Sequence, residues 1–339
     1  MTMVTIKQVA QHARVSRATV SRVLNNHPNV DPELRARVLA SIEALNYQPN
    51  AVARSLRRQQ TRTIGLIVPD NRNPFFAEIA SGIEEYCYGA NYSVYLCNSA
   101  DDDAKEIEYC QSLYQQRVAG VAMSITGTTA EGIHYLQTKG MPIVLFDRGY
   151  PKVEADSVQC DHYLGACSAM EYLIGLGHRA FGLVIGRRRH PPVQDRLRGC
   201  IDTLHKYGCE LDPALIYETP GYEYEAGYIA ASHLFQQRQR PTAIFAFNDT
   251  LAIGVLRYAQ AHGIGVPADL SVVGVDNIPL SSYVSPPLTT VAQPLAELGR
   301  TAARLLLDRI QGQAADESVH YLLPTELIVR ESAGRAKTT

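Results

Sequence analysis

Hydrophobic residues in the first 45 positions recur at helical spacing, in three short groups separated by polar residues. Each group follows a residue that can cap a helix, namely Thr5, Ser16 or Asp31. The groups are Ile6, Val9, Ala10 and Ala13; Val20, Val23 and Leu24; and Leu34, Val38, Ile42 and Leu45. Three short helices with a tight turn between the first two predict a helix-turn-helix domain over residues 1–46.

The next segment, residues 47–62, is polar and basic and has little apolar periodicity. Asn50 can cap a short helix over residues 51–57. A helix of that length is marginal on its own because helix nucleation is costly. We therefore expect a linker whose helix orders only when it docks on something.

From Thr63 onward the pattern changes to short β-rich runs that alternate with amphipathic helices. The runs are TIGLIVP, YSVYLCN, VAGVAMSI, MPIVLFD, AFGLVIG, TAIFAFN and LSVVGVD. Alternation of this kind is typical of βαβ units and parallel sheets. We predict an α/β body over 63–339 with two doubly wound parallel-sheet subdomains, about 63–161 with 293–322 and about 162–292 with 323–330.

Charge is distributed unevenly between these parts of the chain. Residues 1–62 hold ten Lys and Arg against three Asp and Glu, although the whole chain has a formal net charge of −2. A small basic module therefore precedes a large acidic body. A basic module of this size points to a polyanionic partner, most often nucleic acid.

Other features narrow the class of protein. No apolar run approaches the length of a membrane-spanning helix, and the first residues have no apolar core of a signal peptide, so we expect a cytoplasmic protein. The seven cysteines form no C-x-x-C pair and are expected to be reduced core thiols.

The sequence lacks a phosphate-binding P-loop, an H-E-x-x-H helix and a G-x-S-x-G elbow, and we predict no enzyme, cofactor or metal. The run Asp101–Asp103 fits either a cation site or a helix start.

The second predicted helix carries the residues that can read DNA. The start of this helix enters the major groove in helix-turn-helix proteins, which places Arg17, Ala18 and Arg22 near base edges. Arginine matches the O6 and N7 acceptors of guanine, and alanine can contact a thymine methyl group. Short polar side chains suited to phosphate contacts surround them: Ser16, Thr19, Ser21 and Asn25.

Several segments together resemble the lactose/galactose-repressor (LacI/GalR) family of bacterial transcription regulators, from residue 3 to about 332. The matching segments are Thr5-Ile6-Lys7-x-Val9-Ala10, Val15-Ser16-x-x-Thr19-Val20-Ser21-Arg22-Val23, Asn46-Tyr47-x-Pro49-Asn50-x-x-Ala53-Arg54-x-Leu56 and Ile64-Gly65. The resemblance implies a body like that of periplasmic sugar-binding proteins. Arg14 departs from the family, which usually has glycine in this turn, so Arg14 is expected to adopt a positive φ.

The resemblance also implies a role for the linker. In this family the linker forms a hinge helix on operator DNA, and a leucine from each subunit enters the central minor-groove step. Leu56 stands at that position. An apolar wedge unstacks the step, and the kinked DNA then gains other contacts. Further DNA contacts are expected from Thr5, Asn50, Ala53, Arg54 and Arg57, the arginines as phosphate clamps.

Polar and aromatic residues follow the predicted strands of the body, where ligands bind in open α/β sheets. Asn73, Phe75 and Phe76 follow the first run, and Asp147, Asn248 and Asp276 end later ones. Each alone could be a turn or cap residue, but together they offer hydrogen-bonding groups and rings for a sugar or a nucleobase. The resemblance implies an effector site that includes Phe75, Phe76, Asp147, Arg196, Tyr222, Asn248, Asp276 and Gln293.

The effector class stays open at this point. A monosaccharide, particularly a ribose-like pentose, is the first expectation, with a sugar phosphate, a sugar acid or a purine co-repressor as the alternatives. The basic run Arg187–Arg189 favours an anionic effector if it lines the cleft, and it is a solvated tip if it points outward. A non-regulatory sugar-binding protein or an enzyme on the same fold is the remote alternative.

The sequence thus predicts a DNA-binding transcriptional regulator, a repressor switched by a small metabolite. One recognition helix reads one half-site, so a two-fold symmetric homodimer on a pseudo-palindromic operator is expected.

Overall fold

The computed structural model describes residues 4–24, 27–47, 61–126, 129–150 and 153–337. The chain divides into two compact units, with the boundary between residues 61 and 62. None of the helices within the described residues has the length and apolar character that crossing a lipid bilayer requires.

The first unit contains the three predicted helices, α1 Ile6–His12, α2 Arg17–Leu24 and α3 Pro32–Ala44. Thr5 and Gln8 form the predicted capping box at α1, and Asp31 caps α3 with Pro32 in its first turn. The helices enclose a small core of valines and alanines: Val9, Ala10, Ala13, Val20, Val23 and Val38. The helix predictions for this unit are therefore confirmed.

Arg14 lies in the turn between α1 and α2 with φ of 53°. A side chain in this left-handed region is disfavoured relative to glycine because its Cβ crowds the backbone. The expectation of a positive φ at this position is confirmed.

The described residues of the second unit form two six-stranded sheets. The first has the order β11-β5-β4-β3-β1-β2 and is parallel throughout, and the second has the order β12-β10-β9-β8-β6-β7, with only β12 antiparallel to its neighbour. The strands are β1 Thr63–Val68, β2 Ser93–Asn98, β3 Gly120–Met123, β4 Ile143–Phe146, β5 Asp156–Cys160, β6 Phe181–Ile185, β7 Ile216–Glu218, β8 Ala243–Ala246, β9 Ser271–Asp276, β10 Thr289–Ala292, β11 His320–Leu323 and β12 Glu326–Ile328.

Helices cover the faces of both sheets, as the alternating pattern predicts. Those of the first sheet are α4 Pro74–Gly89, α5 Asp103–Gln115, α6 Glu131–Thr138 and α11 Leu295–Gln311. Those of the second are α7 His162–Gly175, α8 Pro191–Lys206, α9 Tyr224–Phe235 and α10 Asp249–Ala261. All seven cysteines are free, and six of them are buried, which agrees with the prediction of core thiols.

Each of the seven β-rich runs contains a strand, and the described part of the body has five further strands that those runs do not cover. β7 and β12 are three residues long and only partly buried, so they carry no continuous apolar run. β10 has buried threonines at Thr289 and Thr290, whose polarity hides the strand from a search for apolar runs.

The chain passes between the two sheets three times, after Cys160, after Ala292 and after Leu323. Each sheet is therefore built from separate stretches of sequence. The carboxyl ends of β1 and β4 in the first sheet and of β6, β8 and β9 in the second contribute to one cavity.

Candidate functional site

A cavity of about 330 Å³ lies at these strand ends and receives side chains from both sheets. Its volume is in the range of small-molecule sites. Eight of the nine side chains predicted from the sequence line it: Asn73, Phe75, Phe76, Asp147, Arg196, Tyr222, Asn248 and Asp276. The ninth, Gln293, does not line the cavity, but its side-chain amide donates a hydrogen bond to Asp276, which does.

The first turn of α4 forms the apolar wall. Asn73 caps this helix, because its Oδ1 accepts a hydrogen bond from the backbone N–H of Phe75 at 3.1 Å, and Pro74 occupies the first helical position. The rings of Phe75 and Phe76 meet edge to face with centroids 4.9 Å apart, and both residues are buried. Asn73 therefore acts as a cap and as part of the cavity at once.

Two buried carboxylates, one from each sheet, line the cavity. Asp147 follows β4 and Asp276 ends β9, with φ of 59° and 114°. Burial raises the pKa of both carboxyls, although the charge of Arg196 opposes the rise at each. The Asp147 carboxylate lies 3.8 Å from Arg148 Nε and 4.0 Å from His162 Nε2, both beyond hydrogen-bond distance. A positive φ at an aspartate costs conformational free energy, and backbone strain of this kind is common at functional sites.

Arg196, a buried residue of α8, lines the same cavity. Its Nη1 donates to the backbone oxygen of Phe247 at 2.7 Å, and its Nη2 lies 3.2 Å from Nδ1 of His162. Burial and the charge of Arg196 hold the pKa of His162 well below its usual value, so the imidazole is neutral and Nδ1 accepts from the guanidinium. The buried Nε of Arg196 and Nε2 of His162 have no hydrogen-bond partner among the described residues.

The opposite wall consists of Asn248, Tyr222 and His190. Asn248 Oδ1 accepts from the backbone N–H of Leu251 at 2.8 Å, so it also caps α10. The Tyr222 hydroxyl and His190 Nδ1 are 2.7 Å apart, and the two rings are stacked. Burial and the neighbouring arginines lower the pKa of His190 to about 3, which keeps its imidazole neutral.

The lining residues that were not predicted as ligand contacts include Asp101, Arg148, Arg187 and His190. Arg148 follows Asp147 directly at the strand end, so adjacency to a predicted site residue was the available signal. Asp101 belongs to the acidic run, in which Asp102 caps α5 and Asp101 faces the cavity instead. The helix-start interpretation is thus confirmed for the run, with Asp102 as the cap and Asp103 in the first turn, and Asp101 before the cap also lines the cavity.

The basic run Arg187–Arg189 was expected either to line the cleft or to point outward, and its first two residues differ in this respect. Arg187 lines the cavity, whereas Arg188 forms an ion pair with Glu218 at 3.2 Å and lies outside the lining. One arginine of the run therefore enters the cleft and its neighbour points away. The sequence could not predict this difference, because an arginine in a loop can find hydrogen-bond partners in either orientation.

The candidate DNA-reading residues lie on and around α2. Val20 and Val23 are buried in the core of the first unit, while Arg17, Ala18 and Arg22 are exposed on the other side of the helix. Ser16 Oγ accepts from the backbone N–H of Thr19 at 3.1 Å and so caps α2 as predicted. Ser21 is partly buried and Thr5 is exposed. Six predicted residues lie outside the described residues: Asn25, Asn50, Ala53, Arg54, Leu56 and Arg57.

Comparison with known proteins gives two family matches. The model for bacterial regulatory proteins of the lacI family matches residues 5–50, and the model for a periplasmic binding protein-like domain matches residues 170–333. The first match covers the helix-turn-helix, and the second covers most of the second sheet with its helices.

Relatives match along nearly the whole chain. The HTH-type transcriptional repressor PurR of Photobacterium profundum is 37% identical over 97% of this chain and 98% of its own length. The ribose operon repressor of Haemophilus influenzae is 36% identical with the same coverage.

Two solved structures are also similar. The lac repressor dimer bound to operator and an anti-inducer has a TM-score of 0.87 at 28% identity, covering 98% of this chain and 100% of that chain. A lacI-family regulator from Enterococcus faecium with bound ribose has a TM-score of 0.75 at 34% identity, covering 81% of this chain and 100% of that chain. The chain described here belongs to the lacI family of bacterial regulatory proteins.

Proposed function

We propose that this protein is a transcriptional repressor that binds a two-fold symmetric operator as a homodimer and is switched by an uncharged monosaccharide, in the first place a ribose-like pentose. The repressor role is supported by relatives of that function along 97% of the chain. A repressor of chromosomal genes acts in the cytoplasm, and the switch needs no cofactor.

The observation that carries the effector class is the internal charge balance of the cavity. Its lining has four arginines and five acidic residues. Arg72 pairs with Asp70 at 2.9 Å, and Asp101 contacts both Arg148 and Arg187. Burial raises the pKa of Asp147 and Asp276, and the charge of Arg196 opposes that rise at each. Counted as formal charges, the lining therefore has no surplus of positive groups for a phosphate or a carboxylate ligand.

The hydrogen-bonding groups favour a polyol. The carboxylates of Asp147 and Asp276 accept hydrogen bonds, and the guanidinium of Arg196, whose Nε has no partner among the described residues, can donate them. A sugar hydroxyl donates and accepts at the same oxygen, so it can satisfy both kinds of group. The Phe75 and Phe76 rings then cover the apolar face of the sugar ring.

DNA binding is assigned to the exposed face of α2. Arg17, Ala18 and Arg22 would meet base edges, and Ser16, Thr19, Ser21 and Asn25 would contact phosphates. Further contacts to the DNA backbone would come from Thr5, Asn50, Ala53, Arg54 and Arg57. Leu56 would enter the minor groove at the centre of the operator. The similar lac repressor structure is described as a dimer bound to operator.

The dimer is further supported by exposed apolar side chains at one edge of the first sheet. β2 is the edge strand, and its Tyr95 and Leu96 are exposed together with Tyr88 at the end of α4. An exposed apolar edge strand is usually covered in the assembled protein. A second copy of the chain would cover it, and sedimentation at micromolar concentration should give twice the 37.3 kDa mass.

Coupling between the two sites requires that the effector bind two arrangements of the body with different affinity. The cavity joins both sheets, so a ligand that contacts both favours one relative orientation of them. In a dimer this orientation sets the spacing of the two linkers and hence of the two recognition helices.

The test is a thermal-shift screen of the full chain against sugars, sugar phosphates, sugar acids and purines, because a ligand that binds the folded state raises the melting temperature. Hits are then added to the protein on an operator selected from random DNA, and binding is followed by fluorescence anisotropy. A shift with a pentose that also changes operator affinity is expected. A shift with purines or charged sugars alone would contradict the proposed effector class.

A further inference from the structure

The acidic run Asp101–Asp103 and the basic run Arg187–Arg189 meet in the cavity through Asp101 and Arg187. Nothing in the sequence indicated a contact between the two runs. Asp101 lies between β2 and α5 of the first sheet, and Arg187 follows β6 of the second. Their side chains form an ion pair across the cleft, with Arg187 Nη1 at 3.4 Å from Asp101 Oδ2.

The same carboxylate binds a second arginine. Arg148 Nη1 donates to Asp101 Oδ1 at 2.8 Å, so each oxygen of Asp101 serves one guanidinium. The side chains of Arg148 and Asp101 are 6% and 14% exposed, and this burial makes the contact strong. Burial alone would raise the pKa of the Asp101 carboxyl, but the charge and hydrogen bond of Arg148 outweigh it and lower the pKa.

The arginines themselves are held in place by other groups. The Arg148 guanidinium carbon lies 5.9 Å from the ring centroid of Phe76 and 5.8 Å from that of Tyr222. Arg187 Nε donates to the backbone oxygen of Pro220 at 2.9 Å. Both guanidinium groups would therefore stay at the cavity wall if the carboxylate between them lost its charge.

We propose that Asp101 is a specificity-determining residue: its carboxylate pairs with both Arg148 and Arg187 and occupies their donors, and thereby makes the cavity select an uncharged sugar over its phosphorylated form. Two adjacent guanidinium groups without a carboxylate form a binding site for phosphate, since each offers planar pairs of N–H donors. The proposal rests on the proposed effector class and names the residue responsible for it.

The decisive variant is Asp101→Asn. Asp101 has φ of 56°, and asparagine tolerates this left-handed backbone as well as aspartate does. The full-length wild type and variant are titrated by calorimetry with ribose, ribose 5-phosphate, glucose 6-phosphate and inorganic phosphate. We expect affinity for at least one of the phosphates to rise about tenfold or more in the variant, because a charged hydrogen-bond pair contributes on that scale. Asp101→Gly also suits the backbone and carries the same expectation if Asp101→Asn is unstable.

The matched control is Glu218→Gln. Glu218 pairs with Arg188, the next residue of the same loop, and both lie outside the cavity lining. This variant also frees one arginine of the loop, and we expect unchanged affinity for every ligand. The double variant Asp101→Asn, Arg187→Gln should lose much of the gain, which distinguishes the specific pair from a general change in charge.

The outcomes separate this inference from the proposed function. Unchanged phosphate affinity in both folded Asp101 variants overturns the role of Asp101 and leaves the sugar proposal intact. A wild type that already binds ribose 5-phosphate more tightly than ribose overturns both. A wild type that binds no sugar, with a variant that gains phosphate binding, supports the role of Asp101 and contradicts the proposed effector.

Discussion

The side-chain amide of Gln293 donates a hydrogen bond from Nε2 to Oδ1 of Asp276 at 2.7 Å, with both residues buried. Gln293 stands between β10 of the second sheet and α11, which packs on the first sheet. A cavity carboxylate is thus attached directly to a segment where the chain passes between the two sheets. Ligand contact at Asp276 can therefore affect the relative orientation of the sheets through Gln293.

Replacing Asp276 by alanine should abolish the effector response while leaving the operator affinity of the ligand-free protein unchanged, if the effector is an inducer. Gln293→Leu keeps the carboxylate but removes its donor, and should weaken effector affinity about fivefold or more, the scale of one hydrogen bond to a charged group. Calorimetry with the effector and anisotropy with the operator measure the two effects. Gln313→Leu, at an exposed position just after α11, is the control. A normal effector response in Asp276→Ala would move the effector site elsewhere.

Arg17→Ala should relax DNA specificity at one base pair in each half-site, because the guanidinium of Arg17 would lose its bidentate contact with a base. The expected loss is about 1–3 kcal/mol on the preferred base pair and less on the others. Arg57→Ala, a proposed phosphate contact, should instead weaken all sequences alike. Anisotropy titrations on operators with every base at each position compare the two variants. Equal losses for Arg17→Ala on operator and on random DNA would remove it from the residues that read bases.

Leu56→Ala should lower operator affinity and reduce the bend in the DNA, since alanine is too short to unstack a base step. Leu56 lies outside the described residues, so its role comes from the sequence alone. Gel mobility of circularly permuted operator fragments measures the bend, and the melting temperature of the body should not change. A bend equal to that of the wild type would contradict the wedge role.

Gly299→Ala should destabilise the body by about 1–3 kcal/mol, because overpacking a close helix contact forces a shift of backbone. An added Cβ at Gly299 in α11 would lie 2.3 Å from the backbone oxygen of Ile79 in α4. Gly89, the last residue of α4, has nothing within 4 Å of the same position, so Gly89→Ala is the matched control and should be neutral or slightly stabilising. Denaturant unfolding of both variants measures the difference. Equal stability of the two variants would show that α4 and α11 can separate at little cost.

Asp249 should make the protein less stable as the pH rises from about 4 to about 7. Burial raises the pKa of this carboxyl to about 7, against hydrogen bonds from Thr290 Oγ1 and the backbone N–H of Ile278. In the unfolded chain its pKa is about 3.9, so over this range the folded state retains a proton that the unfolded state releases. The contribution is present below the unfolded pKa and is lost as pH approaches the folded pKa.

Asp249→Asn removes this titration and leaves the other buried groups in place. The free energy of unfolding of the wild type relative to Asp249→Asn should therefore fall by a few kcal/mol, on the order of 1.4 kcal/mol per pH unit at most, between pH 4 and 7. Denaturant unfolding at several pH values gives both curves. Parallel curves would show that Asp249 is ionised in the folded protein.

The sequence by itself determined the helices at the start of the chain, seven strands of the body and eight of the residues that line the cavity. Helix caps such as Thr5 and Asp31 act through neighbouring backbone groups, so local sequence is sufficient to predict them. Residues such as Asp147 and Asp276 were predicted because they follow apolar strands, and parallel strands bring their carboxyl ends together. Strands such as β7 and β12 were missed because pairing with a neighbour, rather than an apolar run, makes them strands.

Only the tertiary structure decided the contacts that join distant parts of the chain. Asp101 and Arg187 belong to different sheets and are separated by long stretches of sequence, so their ion pair depends on how the two sheets face each other. The same holds for Gln293 behind Asp276 and for the opposite directions of Arg187 and Arg188. Hydrophobic periodicity reports which face of an element is buried, but an exposed or partly buried charge has several partners of similar energy. The fold selects among those partners by bringing one of them within hydrogen-bond distance.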